Sequence, residues 1–234
     1  MKTNFVSPGP QWRYHPIRQI GQGPQTKIEL ALDKLTGKHV ALKSINTSSY
    51  KGINKQKLLK EIIHHEKMKA HPYIIQIFDH FSDREYLYIV MEYAPGGDLF
   101  NLLKDKSIVL DETAKRKLFW QVCSAVEYIH SHHLIHRDIK PENILLDAHG
   151  NAKLCDFGWC VGLDDVSGRY ENAGTFEYMS PECLRRQLQG TPADIWSLGI
   201  LIYELYHREE PFPGKSSKEV LEKIYKSPAV FSRD

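Results

Sequence analysis

The first third of the chain alternates. Ile28, Leu30 and Leu32 fall at every second position, separated by polar residues or alanine, the period of a strand with one buried face. Residues 35–38 (Leu-Thr-Gly-Lys) read as a turn and 39–43 as a returning strand, so 12–43 is strand-like throughout. Over 54–69 the period lengthens: Leu58, Leu59, Ile62, Ile63 and Met68 recur at helical spacing until His71-Pro72 stops them. Two more strands are expected at 74–77 and 86–91. After Ala94-Pro-Gly-Gly97 the pattern turns helical, at 99–103, 113–131, 193–206 and 217–226, with long irregular segments between. A strand-rich part followed by a helix-rich part predicts an α+β fold of two lobes sharing a cleft. Its expected divisions are a tail over 1–11, a β-rich lobe over 12–92 and an α-rich lobe over 93–234.

Composition narrows the class. With 41% apolar and 26% charged residues in 234, the chain has the balance of a soluble globular protein. Lys and Arg number 31 against 29 Asp and Glu, a net +2 that gives no reason to expect nucleic acid or an acidic membrane as partner. Cys123, Cys155, Cys160 and Cys183 form no Cys-x-x-Cys pair and read as reduced thiols, pointing to an intracellular location. The opening MKTNFVSPGPQW lacks an apolar core of signal-peptide length, and the apolar stretch 195–205 is too short to span a bilayer. His130, His132, His133 and His136 straddle a helix end without carboxylates at ligand spacing, so zinc is not expected there.

Chemistry concentrates in His136-Arg-Asp-Ile-Lys-Pro-Glu-Asn143, followed 18 residues after Asp138 by Asp156-Phe-Gly158 and later by Ser180-Pro-Glu182. Upstream stand Gly21-Gln-Gly23, a weak signal alone, and Val40-Ala-Leu-Lys43. In order and spacing these motifs resemble the protein-kinase family over residues 12–224. Asp-x-Lys-Pro-Glu-Asn and Gly174-Thr175 before Tyr178-Met-Ser-Pro-Glu resemble the serine/threonine type. Asp-Phe-Gly-Trp159 and Asp194-Ile-Trp-Ser-Leu-Gly199 place the nearest resemblance among the Aurora kinases.

The resemblance implies an ATP- and Mg²⁺-dependent phosphotransferase, a chemistry that asks mainly for positioning and charge neutralisation. Lys43 would hold the phosphates, with Glu61 as its ion-pair partner, and Asp138 would accept or orient the substrate hydroxyl proton with Lys140 beside it. Asn143 and Asp156 would supply the metal's hard oxygen ligands. Ile20, Gly21, Gln22 and Gly23 would cover the phosphates. Ile28, Ala41 and Leu145 would sandwich the adenine, with Met91 as gatekeeper, Glu92 and Ala94 as main-chain contacts and Asp98 on the ribose. Thr175 belongs to the substrate-binding set, and Asp98, Glu142 and Glu204 would gather there, favouring arginine upstream of the phosphoacceptor. A protein partner on the helix carrying Glu61, and a location in cytoplasm or nucleus, at the spindle or centrosome for an Aurora-like enzyme, complete the implied picture.

Four departures from the family pattern stand out. Pro24 lacks an N–H, and Thr26 stands where a third glycine is usual, altering the phosphate loop. His65 replaces the apolar residue expected to pack on Phe157, and Glu171 sits where an activating threonine is usual, with Arg137 as its expected cation. Few residues follow the capping-box helix at 216–226, which reads as a shortened lobe leaving Glu182 without an assignable partner. The altered loop and shortened lobe fit an alternative role, a kinase-like ATP-binding or scaffold module.

Overall fold

A computed structural model of the chain describes residues 13–47, 53–68 and 71–226, and no side chain within 53–57; the tail expected at 1–11 lies outside it. The chain divides into two compact units, Met1–Lys60 with Ile75–Tyr93, and Glu61–Ile74 with Ala94–Asp234. Residues 61–74, assigned from sequence to the first lobe, therefore group with the second.

The first unit is a five-stranded antiparallel sheet of β1 (Tyr14–Gln22), β2 (Thr26–Asp33), β3 (Lys38–Asn46), β4 (Ile77–Ser82) and β5 (Tyr86–Glu92), in the order β1-β2-β3-β5-β4. Helix α1 (Ile53–Lys67) follows β3 in the chain. Register explains the alternation seen in the sequence. Ile28 pairs with Lys43, Leu30 with Ala41 and Ala41 with Met91, so these side chains share one face. The opposite face packs Tyr14, Ala31, Val40, Leu42 and Val90, with Phe81 and Tyr88 against them. Phe81 bridges this layer, 5.8 Å from the Tyr14 ring and 5.1 Å from Tyr88.

The strand expected at 74–77 begins only at Ile77. Ile74 instead forms an isolated bridge to Leu154 in the second unit and is fully buried there. A short apolar run is equally compatible with both outcomes, because burial alone demands it.

The second unit is helical. It holds α2 (Leu99–Lys104), α3 (Glu112–Ser131), the short strands β6 (Leu134–Ile135), β7 (Ile144–Leu146), β8 (Ala152–Leu154) and β9 (Val161–Gly162), then α4 (Pro181–Leu184), α5 (Pro192–His207) and α6 (Ser217–Lys226). Asp111 caps α3 by accepting from the Ala114 N–H at 2.7 Å. Leu118, Val122, Ala125, Val126 and Ile129 line one face of α3 and share a core with Leu198, Leu201 and Leu205 of α5. A second cluster joins Tyr178, Met179, Cys183, Ile200, Phe212 and Val220, tying α6 to α4 and α5. β6 pairs with β9 and β7 with β8, so the loops between them are held at both ends. Among the described residues no helix is long and apolar enough to cross a membrane.

One ion pair anchors the turn between β2 and β3. Arg13 donates to both oxygens of Asp33, each at 2.9 Å, while Asp33 also accepts from the Leu35 N–H and Thr36 Oγ1. Arg13 above all holds the Asp33 carboxyl down, from an ordinary 3.8 to about 2, against the opposing effect of burial. A carboxyl lowered in the folded state stabilises fully above its unfolded pKa and loses that effect as pH falls from about 4 to about 2. Asp33→Asn is expected to lose about 2 kcal/mol at neutral pH and far less near pH 2, measured by urea melts. Equal losses at both would refute the assignment.

Candidate active site

Everything in the loop after β6 hangs from Asp194 near the start of α5. This carboxylate is fully buried and accepts the main-chain N–H groups of His136 at 2.9 Å and Arg137 at 2.8 Å. The His130 ring lies 2.8 Å from its Oδ2. These bonds hold Arg137 in the left-handed region, φ 69°, which turns the chain sharply into Asp138. The histidines thus serve the scaffold: His132 Nδ1 meets the Tyr128 carbonyl and His136 Nε2 the Cys155 carbonyl. Among the described residues no group of three His, Cys, Asp or Glu could hold a metal.

Asp138, itself buried, is held from three sides. Asn143 Nδ2 donates to its Oδ2 at 2.7 Å and to its carbonyl at 2.8 Å. Lys140 Nζ stands 3.2 Å from Oδ2 and donates to Thr175 Oγ1 at 2.7 Å, and that hydroxyl donates to Oδ1 at 3.3 Å. Thr175 gets this close because Gly174 precedes it: at φ 97°, a Cβ there would lie 2.5 Å from the Arg137 carbonyl. Only glycine fits that position. Asp138, Lys140, Asn143 and Thr175 therefore form one hydrogen-bonded group.

The Cys155 N–H donates to the Asn143 carbonyl at 2.9 Å, setting Asp156 beside this group at φ 61°. Phe157 is fully buried between two imidazoles, stacked on His65 at 4.3 Å and edge-on to His136 at 5.0 Å. His65 thus occupies the position expected from the sequence. A Cβ on Gly158 would lie 3.6 Å from the Glu61 carboxylate, which places Glu61 next to the Asp156–Gly158 turn.

Leu145 on β7 bridges Asp98, and the Gly96 N–H donates to the Leu146 carbonyl at 2.9 Å, so Ala94, Asp98 and Leu145 belong to one local assembly. Asp98 caps α2, accepting from the Asn101 N–H at 2.7 Å and its Nδ2 at 2.8 Å. The charges that act on Glu204 are those of Glu210 and Glu142. Glu204 is buried rather than on the helix surface, and Tyr178 donates its hydroxyl to it. Glu204 and Glu210 line a cavity of about 610 Å³ with Phe100, Tyr203 and Pro211. Arg208, also at this cavity, is committed to the carbonyls of Leu103, Asp105 and Ile108.

In the first unit, Ile20, Gly21 and Gln22 end β1, and Ile28, Ala41, Lys43 and Met91 share the face already described. The N–H of Glu92 goes to the Gln76 carbonyl. The loop after Gly21 is a tight hairpin closed by a bond from the Gly23 N–H to the Thr26 carbonyl at 2.8 Å. Neither Pro24 nor Gln25 takes positive φ, so the tip is not one of the primed turns usual in two-residue hairpins. Thr26 is a strand residue paired with Ile45, and its Oγ1 would lie 2.6 Å from a Cβ on Gly23. A side chain at 23 would therefore have to displace the Thr26 hydroxyl.

The comparisons agree with this arrangement. Residues 14–233 match the family model described as protein kinase domain. The chain is a protein kinase domain.

It is 36% identical over 221 residues to a cAMP-dependent protein kinase, catalytic subunit-like, of Caenorhabditis elegans, covering 93% of this chain and 54% of that protein. The same 36% relates it to an Aurora kinase of Schizosaccharomyces pombe over 216 residues, 90% of this chain and 60% of the relative. Serine/threonine-protein kinase SIK2 of Gallus gallus is again 36% identical, over 226 residues, with 94% and 28% covered. The chain thus spans about half the length of the first curated relative it matches, and less than two thirds of all three.

Arg137 donates to the Glu171 main-chain carbonyl, Nη1 to O at 3.3 Å, and the charge of Glu171 also acts on the guanidinium. The other bonds of the guanidinium go to the Trp159 and Gly168 carbonyls, both at 2.8 Å, and to Gln189 Oε1. Burial pushes the Arg137 pKa down. Asp194, Tyr178, Gln189 and Glu210 were not singled out from sequence as site residues. Asp194 and Tyr178 carried a signal, their places in the quoted Asp-Ile-Trp-Ser and Tyr-Met-Ser-Pro-Glu motifs.

Two predictions follow from these contacts. Burial above all raises the Glu204 pKa to about 7, with Glu210 and Glu142 adding and the Tyr178 bond opposing. A carboxyl raised in the folded state stabilises below its unfolded pKa and loses this as pH rises through the folded value. Glu204→Gln should thus gain stability relative to the parent by about 2 kcal/mol between pH 5 and pH 8 in urea melts; no pH dependence would count against it. In the second, His65→Leu exchanges an imidazole on Phe157 for an apolar side chain that needs no hydrogen bond, and peptide phosphorylation by the folded variant should rise about threefold. Unchanged or lower activity would refute the idea that the histidine limits activity there.

Proposed function

We propose that this chain is a Mg-ATP-dependent serine/threonine protein kinase acting in basic sequence contexts. The observation that carries the reading is the group of Asp138, Lys140, Asn143 and Thr175, in which one carboxylate is positioned by an amide, an ammonium and a hydroxyl. Asp138 is suited to orient a substrate hydroxyl and take its proton, since Asn143 and Thr175 fix the carboxylate plane. Lys140 keeps positive charge beside it, where negative charge accumulates during phosphoryl transfer. Lys43 extends from the same sheet face as Ile28, Ala41 and Met91, an apolar wall with one cation that suits a nucleotide.

Mg²⁺ fits the residues present. Asn143 commits its Nδ2 to Asp138, leaving an amide oxygen, and Asp156 adds a carboxylate, both hard donors of the kind Mg²⁺ takes alongside water and phosphate oxygens. Bound there, the ion would neutralise phosphate charge. The buried Glu204 and the half-buried Glu210, with Glu142 acting on both, favour an arginine side chain in their cavity. Aurora-like specificity belongs to this proposal and rests on the Asp-Phe-Gly-Trp159 motif.

The altered hairpin at Pro24 and Thr26 favours a second reading, an ATP-binding module of little activity. Transfer of labelled γ-phosphate from Mg-ATP to an Arg-Arg-x-Ser peptide separates the two. The parent should phosphorylate it, Asp138→Asn should lose about 10²–10⁴-fold in rate, and Glu204→Gln with Glu142→Gln should lose about tenfold of the preference over acidic peptides. ATP binding without transfer would favour the module.

A further inference from the structure

Gln189, in the connection between α4 and α5, is fully buried, and all four of its hydrogen-bonding groups are committed to the activation segment or to Arg137. Its Nε2 donates to the Glu171 carbonyl at 2.8 Å and its Oε1 accepts from Arg137 Nη1 at 3.4 Å. Its own N–H donates to the Arg169 carbonyl at 3.0 Å, and its carbonyl accepts from Arg169 Nε at 2.7 Å. The orientation of the side-chain amide is forced, because a guanidinium only donates and a carbonyl only accepts.

Arg137 and Arg169 complete a clasp around residues 168–171. Arg137 holds the Gly168 and Glu171 carbonyls, and Arg169 Nη1 reaches back to the Leu163 carbonyl at 3.0 Å. The hydrogen bonds that Arg137 and Arg169 make in the clasp all go to neutral oxygens. The Asp165 carboxylate takes the Gly168 N–H at 3.0 Å, and Nε and Nη1 of Arg137 already serve carbonyls. Four residues past Glu171 stands Thr175, bonded to both Lys140 and Asp138, so the turn sets where that hydroxyl falls.

We propose that Gln189 is a positioning residue that holds residues 168–175 in register without any phosphate on the segment, by clasping Glu171 and Arg137. The function of the clasp rests on the kinase reading above, whereas its existence does not. A phosphate-free segment then presents Thr175 to Asp138 as soon as the chain folds.

The test uses the full chain, co-expressed with a phosphatase and shown by mass spectrometry to carry no phosphate. Amide hydrogen exchange across 163–175 should show protection in the parent. In Gln189→Leu, exchange there should be about tenfold faster while α3 and α5 keep their protection. Its kcat for a basic peptide should fall about tenfold with KM for ATP unchanged, a split that general destabilisation would not give. Should Gln189→Leu not fold, Arg169→Ala attacks the same clasp from its partly exposed side and should speed exchange about threefold. Unprotected amides in the parent until it is phosphorylated, or parent-like exchange in the variants, would overturn the proposal. Protection that the variants lose, in a parent that transfers no phosphate, would sustain the clasp and sink the kinase reading instead.

Discussion

The buried carboxylate of Asp194 is the constraint from which the rest of the catalytic loop follows. A charge with no solvent around it persists only when its lone pairs are filled. Here two consecutive main-chain N–H groups and an imidazole fill them. Removing one partner of such a buried charge generally costs about 3–5 kcal/mol, enough to offset the strain of holding a non-glycine residue left-handed, about 1–3 kcal/mol. Arg137 can therefore sit at φ 69° and deliver Asp138 to Asn143, Lys140 and Thr175. α5 is the natural base for this anchor, because Leu198, Leu201 and Leu205 fix it in the core shared with α3.

Around that anchor the second unit separates two kinds of electrostatics. Arg137 and Arg169 are cations satisfied by carbonyl oxygens, an arrangement that orders backbone and leaves little field outside. Glu204 and Glu210 are the reverse, carboxyls lifted by burial and by neighbouring carboxylates, Glu142 acting on both, at the wall of a cavity. The first arrangement stabilises a conformation. The second leaves negative potential that an incoming cation would relieve, drawing the Glu204 pKa back toward the carboxylate range.

The periodic elements were legible from residues alone. Strand alternation over 28–32 and helical spacing in α3 and α5 are carried by neighbours along the chain, and each appears within a residue or two of its expected bounds. The 74–77 run failed as a strand because Ile74 and Ile75 satisfy burial without ladder partners in the sheet, and Ile74 met Leu154 instead. Asp138, Lys140 and Asn143 were legible as a site because they lie within one short segment whose spacing is itself the signal.

The chain's sequence by itself determined the types of its elements, their order and the inventory of reactive groups, since those depend on local period and residue identity. Tertiary structure decided which group meets which. Arg137 finds Asp194 across 57 residues and Gln189 across 52, and Tyr178 finds Glu204 across 26. Hydrogen bonds act only within about 3 Å, so such pairings depend on how whole helices pack and leave no periodic trace in the residues that make them. For that reason Glu171 could be marked as the neighbour of Arg137 from sequence, while the hydrogen bond to its main-chain carbonyl belonged to the fold.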